Sequence, residues 1–275
     1  MGLGGVELNR LVKYAVLATV LLLQFQVEPA RSEWYLAGYG GYSAPQSLSD
    51  VTMDTYGERL AANRYGFSET NVALGDTLTQ NFMTSDLSLK NSPIVGGKGG
   101  YFFKEEGFSW LGVELEAFTT NPTIKTQTVN TEQGITFLLG PNQTPNPSCP
   151  LPAPTTQCSV QENVKSTLSI NESSLHLYTV AFNVVARYPG KLFQPYAGVG
   201  AGAFYFIGSG QFDGRQVVPG LNTQAGLKIL ATEEWGLFVE GKYNYATITN
   251  LDPSGYGLSG TYNAFNVLAG VAYHF

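Results

Sequence analysis

Seven ionisable side chains, Lys98, Glu114, Glu116, Arg187, Lys228, Glu240 and Lys242, lie in stretches where every second residue is apolar, and all seven fall on the other parity. Charges gathered on one hidden face persist only when they pair and are hydrogen-bonded, so such a set is either a structural network of ion pairs or a relay for ions or protons. If the segments flanking the turn after Phe103 pair, Lys98 comes opposite Glu114 or within one step of it, and Lys228 can meet Glu240 across the turn at Glu233. Acid/base chemistry has less material. The chain holds 2 His. His176, two residues after Ser174, makes the one conceivable His–Ser pair, with no evident orienting acid, while His274 stands at the far end of the sequence. A His at a polar, aromatic rim accounts for His176 without catalysis. Gly198-Val199-Gly200-Ala201-Gly202 invites a nucleotide-loop reading, but it lies inside an alternating stretch with no helix behind it, and Gly96-Gly97-Lys98-Gly99 lacks the Ser/Thr that follows in a phosphate loop. No cofactor is expected from either.

The elements that must carry these residues have a period of two. Leu177 to Tyr188 sets Tyr178, Val180, Phe182, Val184 and Ala186 against Thr179, Asn183 and Arg187. Ser109 to Phe118, Gln194 to Ile207, Thr223 to Ala231, Leu237 to Tyr245 and Tyr262 to Phe275 alternate in the same way. Trp34 to Tyr42 and Val95 to Phe103 are strands whose abundant Gly leaves their facing open. Eight strands are therefore predicted. Their connections alternate in length. Short turns follow Phe103, Tyr188 and Ala231, and longer segments run from about Ser43 to Pro93, Thr119 to Ser174, Gly208 to Leu221 and Ala246 to Thr261. Sorting of loops by side is what a closed membrane barrel shows and a soluble sandwich has no reason to show. Aromatics gather at both strand ends: Trp34, Phe103, Phe108, Trp110, Tyr188, Phe193, Trp235, Tyr273 and Phe275 near the short turns, and Phe118, Tyr178, Tyr205, Tyr243, Tyr245 and Phe265 near the long connections. Two girdles are the expected result.

Composition narrows the classes further. Of 275 residues 13% are charged and 43% hydrophobic, with 32 Gly, 16 Tyr and 16 Phe, which is too aromatic for a disordered chain and too poorly charged for a coiled coil. A net charge of −6 without a Lys/Arg cluster offers nothing to nucleic acid. Residues 1 to 32 read as a signal peptide: Arg10 and Lys13 precede the apolar run Ala15 to Leu23, and Ala30-Arg31-Ser32 places small residues at a cleavage site, so the mature barrel domain is expected to span 33 to 275. An exported chain meets an oxidising compartment, so Cys149 and Cys158, in a Pro-rich stretch, are expected to form one loop disulfide. Two Cys without a nearby His cannot complete a zinc site.

Glu33-Trp34-Tyr35 after the signal segment, the GGKGGYFF hairpin leading into SWLGVELEAF, the strand FQPYAGVGAGAFYF and the closing NVLAGVAYHF resemble the small outer-membrane β-barrel superfamily, which includes the OmpA transmembrane domain, OmpX and the opacity-type adhesins, often labelled porin-family proteins. The resemblance covers essentially the whole mature chain and is specific at the level of architecture. It implies an all-β, eight-stranded antiparallel up-and-down transmembrane barrel in a Gram-negative-type outer membrane, surrounded by lipopolysaccharide and phospholipid. Tyr273 and the terminal Phe275 are similar to the signal by which the barrel-assembly machinery recognises such chains. The sequence stops at Phe275, so the periplasmic domain of OmpA is not expected. A monomer with a structural or surface-interaction role, working through its long loops on an unidentified extracellular ligand or surface, is the expected function. A narrow pore and a lipid A-modifying enzyme are the alternatives.

Overall fold

The computed structural model describes residues 33–65, 77–104, 107–139 and 158–275. The predicted signal segment and Cys149 lie outside the described residues. Numbered along the chain, the elements begin with β1 (Glu33–Pro45), β2 (Ser49–Met53), helix α1 (Asp54–Tyr65), β3 (Thr77–Thr84), β4 (Leu89–Lys90), β5 (Ser92–Phe103) and β6 (Phe108–Thr120). They continue with β7 (Thr123–Ile124), β8 (Gln127–Leu139), β9 (Cys158–Ile170), β10 (Ser173–Arg187), β11 (Phe193–Gly208), β12 (Arg215–Leu230), β13 (Trp235–Ile248) and β14 (Leu258–His274).

Strands β1, β5, β6, β10, β11, β12, β13 and β14 follow one another antiparallel around a wall, and β14 returns to β1 with Tyr35 opposite His274 and Pro45 opposite Ala264. The result is a closed, eight-stranded up-and-down barrel. Alternation decides what each strand shows to either side. In β10, Tyr178, Val180, Phe182 and Val184 are exposed while Thr179, Ala181, Asn183, Val185 and Arg187 are buried. Outward apolar side chains recur on every wall strand, among them Leu36, Val95, Leu115, Val199, Leu221, Val239 and Val267. An apolar band around a closed sheet with every wall strand paired on both sides fits a bilayer and no aqueous setting, so the barrel is a transmembrane one.

The two Gly-rich strands resolve as well. β1 points Tyr35, Tyr39 and Ser43 inward and Trp34, Leu36 and Tyr42 outward, and β5 points Ile94, Lys98 and Phe102 inward. Near the short turns Trp34, Phe108, Trp110, Tyr188, Phe193, Trp235 and Phe275 face out; at the other end Tyr178, Tyr243, Tyr245 and Phe265 do. Phe118, expected in that second girdle, is instead buried, because it shares the parity of Glu114 and Glu116.

The loop side departs from expectation in two ways. The third and fourth connections are shorter than the sequence suggested, since β12 already begins at Arg215 and β13 runs to Ile248. These strand ends keep the period of two with the sense reversed: Phe206, Val218, Ile248 and Tyr262 are buried inside. Here the bulky apolar residues lie mostly on the inward parity, so the outward-apolar pattern of the membrane-facing stretches ends earlier in the chain. The described residues of the first two connections form a folded apex. β2 continues up along β14 (Met53 opposite Leu258), β3 follows at Thr52–Met83, and β8 and β9 complete an extension of the wall. α1 lies on this extension, tied by Gln133 Nε2 donating to Gly57 O at 2.7 Å and Gln80 Nε2 to Asp54 O at 3.0 Å. At its base β4, β7 and the start of β10 form a short ladder, and Leu48, Val51, Met53, Phe82 and Leu87 are buried within.

Candidate functional site

The seven predicted charges all point into the barrel and are buried. On the turn side, Arg187 Nη1 donates to Glu33 Oε1 at 2.6 Å, a second guanidinium nitrogen reaches Glu33 Oε2, and the guanidinium carbon lies 3.7 Å from the Phe102 ring centroid. His274 Nδ1 is 2.8 Å from Glu33 Oε1, and its Nε2 is 3.2 Å from Lys228 Nζ. One layer further in, Lys98 Nζ lies 2.5 Å from Glu240 Oε2 and 3.4 Å from Glu114 Oε2. Lys242 Nζ bonds Glu116 and stands 3.5 Å from Glu240 Oε1. Lys98 thus meets Glu114 as expected, but its shorter contact is Glu240, from the far side of the barrel. The expected Lys228–Glu240 pair is not formed: the register sets Lys228 opposite Phe238 and Glu240 opposite Gly226.

Three carboxylates this deep need more than a cation each. Glu114 accepts from Tyr35 Oη (2.5 Å), Gln224 Nε2 (2.8 Å) and Asn183 Nδ2 (3.0 Å). Glu116 accepts from Tyr39 Oη and from Asn222 Nδ2 (3.0 Å), and Glu240 from Tyr196 Oη (2.7 Å). An amide chain extends the network, with Asn266 donating to Asn244 (2.7 Å), Asn244 to Asn222 (3.1 Å) and Asn222 to Asn183 (2.9 Å). Sequence reasoning missed these neutral partners and Glu33. Asn183, Asn244 and Asn266 were visible on the inward parity, whereas Tyr35 and Tyr39 were hidden by the Gly around them. Gly200 explains the amide chain. It sits between Asn183 and Asn222 in the register, and a Cβ there would lie 2.1 Å from Asn183 Oδ1, so two amides from non-adjacent strands meet across it. The Gly198 to Gly202 run is therefore packing inside β11, not a nucleotide loop.

Towards the loop side the interior turns apolar. Phe118, Leu175, Leu177, Phe204, Phe206 and Tyr262 are buried there, and Phe206 and Tyr262 meet edge-on at 5.4 Å. The polar half leaves a cavity of ≈ 10 Å³ beside Tyr35, Lys98 and Arg187, about the room of one water and far from a solute path. A larger cavity, ≈ 400 Å³, lies in the apex between α1 and strands β8 and β9.

The remaining candidates fall apart or stand alone. Ser174 Oγ donates to Asn121 Oδ1 at 2.6 Å, while His176 Nε2 is 3.2 Å from Thr119 Oγ1 and its ring lies 4.7 Å from that of Tyr178, so His176 and Ser174 are not joined. Cys158 opens β9, and its expected partner Cys149 lies outside the described residues. Tyr273 packs its ring between Trp235 (4.9 Å) and Phe275 (5.0 Å), and Phe275 N donates to Trp34 O at 2.9 Å across the seam.

No family model matches the chain, and no curated protein matches it. Among solved structures it is similar to the Neisserial surface protein A (NspA), with 11% identity, 88% of this chain and 97% of that one covered, and a TM-score of 0.44. It is also similar to Ail, the attachment invasion locus protein of Yersinia pestis, solved with the heparin analogue sucrose octasulfate: 12% identity, 89% and 98% covered, TM-score 0.39. A third similar structure is the outer-membrane protein AlkL, determined in lipid bilayers, with 14% identity, 92% and 95% covered and a TM-score of 0.42.

Proposed function

We propose that the chain is a monomeric outer-membrane barrel whose wall and interior are scaffold and whose work is a surface interaction made by the apex. The apical sheet supports this reading most: β14, β2, β3, β8 and β9 are paired in succession, so a folded platform is carried by the wall instead of flexible loops. Binding residues commonly sit on segments that a rigid framework positions. Lipopolysaccharide and phospholipid would surround the apolar band, the short turns and both chain termini of the barrel would face the periplasm, and Tyr273 with Phe275 would engage the assembly machinery. The signal segment and the Cys149–Cys158 bridge belong to the same proposal. The interior charges act as a structural plug: an eight-stranded barrel is just wide enough for side chains to fill it, and here they do, which speaks against the narrow pore. Catalysis has no His–Ser pair to work with among the described residues.

Deleting 51–86 tests the assignment. Leu48 and Leu87 already bridge, N to O at 2.8 Å, so joining Asp50 to Leu87 leaves a two-residue turn of Ser49 and Asp50, and Asp50 already holds φ 53°. The truncated barrel should still resist SDS until boiled and should lose adhesion to host-cell or bacterial surfaces. Retained adhesion, or passage of sugars by the intact protein in liposome swelling, overturns the proposal.

A further inference from the structure

The apical cavity has the size and the chemistry of a binding site, and its ligand class can be read from its walls. Its ≈ 400 Å³ falls within the range of small-molecule pockets. On one side is the half-buried ring of Tyr56, edge-on to Phe82 at 5.4 Å and stacked on Tyr256 at 5.0 Å, so its plane is fixed from two directions. Leu60 and Leu168 add apolar surface. Apart from Arg64, the polar lining among the described residues is neutral: the amide of Asn63, the hydroxyls of Thr131, Ser166 and Thr167, and Gln133, whose Nε2 already donates to Gly57 O. Among the described residues Arg64 is the one cation in the lining, and it lies 2.5 Å from Glu162 of β9.

We propose that this groove binds a neutral sugar ring of a surface glycan, an inference that rests on the apex being the interacting part. A pyranose has one C–H face that stacks on a fixed aromatic ring, and hydroxyls around its edge that both donate and accept. Amides and hydroxyls do the same, which suits a neutral polar ligand better than an ion. An anionic group would have to compete with Glu162 for Arg64. An extended peptide could add to the outer edge of β9, which among the described strands pairs with β8 alone, but it would use backbone groups and not the ring and hydroxyls that line the groove, so a peptide is the rival ligand in the test.

The test uses the full mature chain in lipid nanodiscs, without maltoside detergent, titrated calorimetrically with lactose, maltotriose and chitotriose, with sialyllactose as the charged comparison and an unstructured polar peptide as the other ligand class. Saturable binding of at least one neutral sugar is expected. Ser166→Trp, which fills the groove from an exposed position on β9, and Asn63→Ala, on the exposed side of α1, should each weaken it by about tenfold or more, with SDS resistance unchanged. Binding of none of the neutral sugars up to millimolar concentration, a preference for sialyllactose or the peptide, or unaltered sugar affinity in both variants overturns the inference. If adhesion survives in Ser166→Trp but disappears on deleting 51–86, the sugar groove fails while the apex reading stands. If the deletion leaves adhesion intact, the apex reading itself fails.

Discussion

The two halves of the barrel interior are built on opposite principles. On the turn side, charges and amides fill the lumen while Leu, Val and aromatic side chains face outward; on the loop side, Phe204, Phe206, Leu177 and Tyr262 fill it while Ser174, His176, Thr247, Ser259 and Thr261 face outward. Strands β10 to β14 pass through both halves without a break. What changes is the medium outside. Where lipid surrounds the wall, apolar residues are best placed outward, and the polar remainder must satisfy itself within. Where water surrounds it, the same wall closes over an ordinary hydrophobic core. The charged network is thus the consequence of a lipid exterior, and the apolar cap is what joins the membrane barrel to its apex.

The strongest way to break the polar half is Lys242→Met. Lys242 and Glu116 are both fully buried, so removing the cation leaves an uncompensated carboxylate, at a cost of about 3–5 kcal/mol. Adding Glu116→Leu should recover a good part of that in urea unfolding from lipid vesicles; a double mutant equal to the sum of the singles would show that the two do not interact. In the apolar half Phe206→Ala should cost about 3 kcal/mol through the cavity it leaves. That loss should be insensitive to salt and should loosen the apex before the barrel, measured as earlier hydrogen exchange in β2 and β3 than in β13. Equal acceleration in β13 would mean that the halves unfold as one. Gly200→Val, which drives a side chain between Asn183 and Asn222, should cost about 1–3 kcal/mol, and Asn183→Ala should relieve some of it; no relief would put the strain elsewhere. The smallest effect belongs to the exposed Arg64–Glu162 pair. Arg64→Ala should change stability by about 0.2–1 kcal/mol and by less at high salt.

These contrasts explain how much could be read from the sequence. The barrel was legible wherever lipid imposed apolar-outward alternation, as in β6, β10, β13 and β14, and the inward facing of Glu114, Glu240 and Lys242 followed from parity alone. Pairing across the lumen was not. Lys98 reaches Glu240 over the interior because the sheet is rolled up, and no spacing along the chain encodes that. Glu33 lies just outside the predicted strand Trp34 to Tyr42, and its contacts with Arg187 and His274 exist only once the wall has closed. The apex was illegible for a different reason: the inward parity of Gln127–Leu139 mixes Val129 and Ile135 with the buried Thr131 and Gln133, so this strand and Cys158–Ile170 read as polar loop until their partners are known. Phe118 was misplaced by counting it as an aromatic near a rim instead of by its parity.

The seam between β1 and β14 has a kinetic consequence. Tyr35 pairs with His274, so the first wall strand waits for the last before its second edge is covered, and the Glu33–His274 contact joins the two ends of the wall. Hairpins such as β12–β13 can form from neighbours, but closing the ring requires a loop the length of the whole barrel, which makes folding slow compared with chains rich in local contacts. Until that moment two long, unpaired edges are open to any other strand. A chain shortened by its last strand would therefore not be a slightly weaker barrel but a sheet with both edges free, poised to pair with its neighbours.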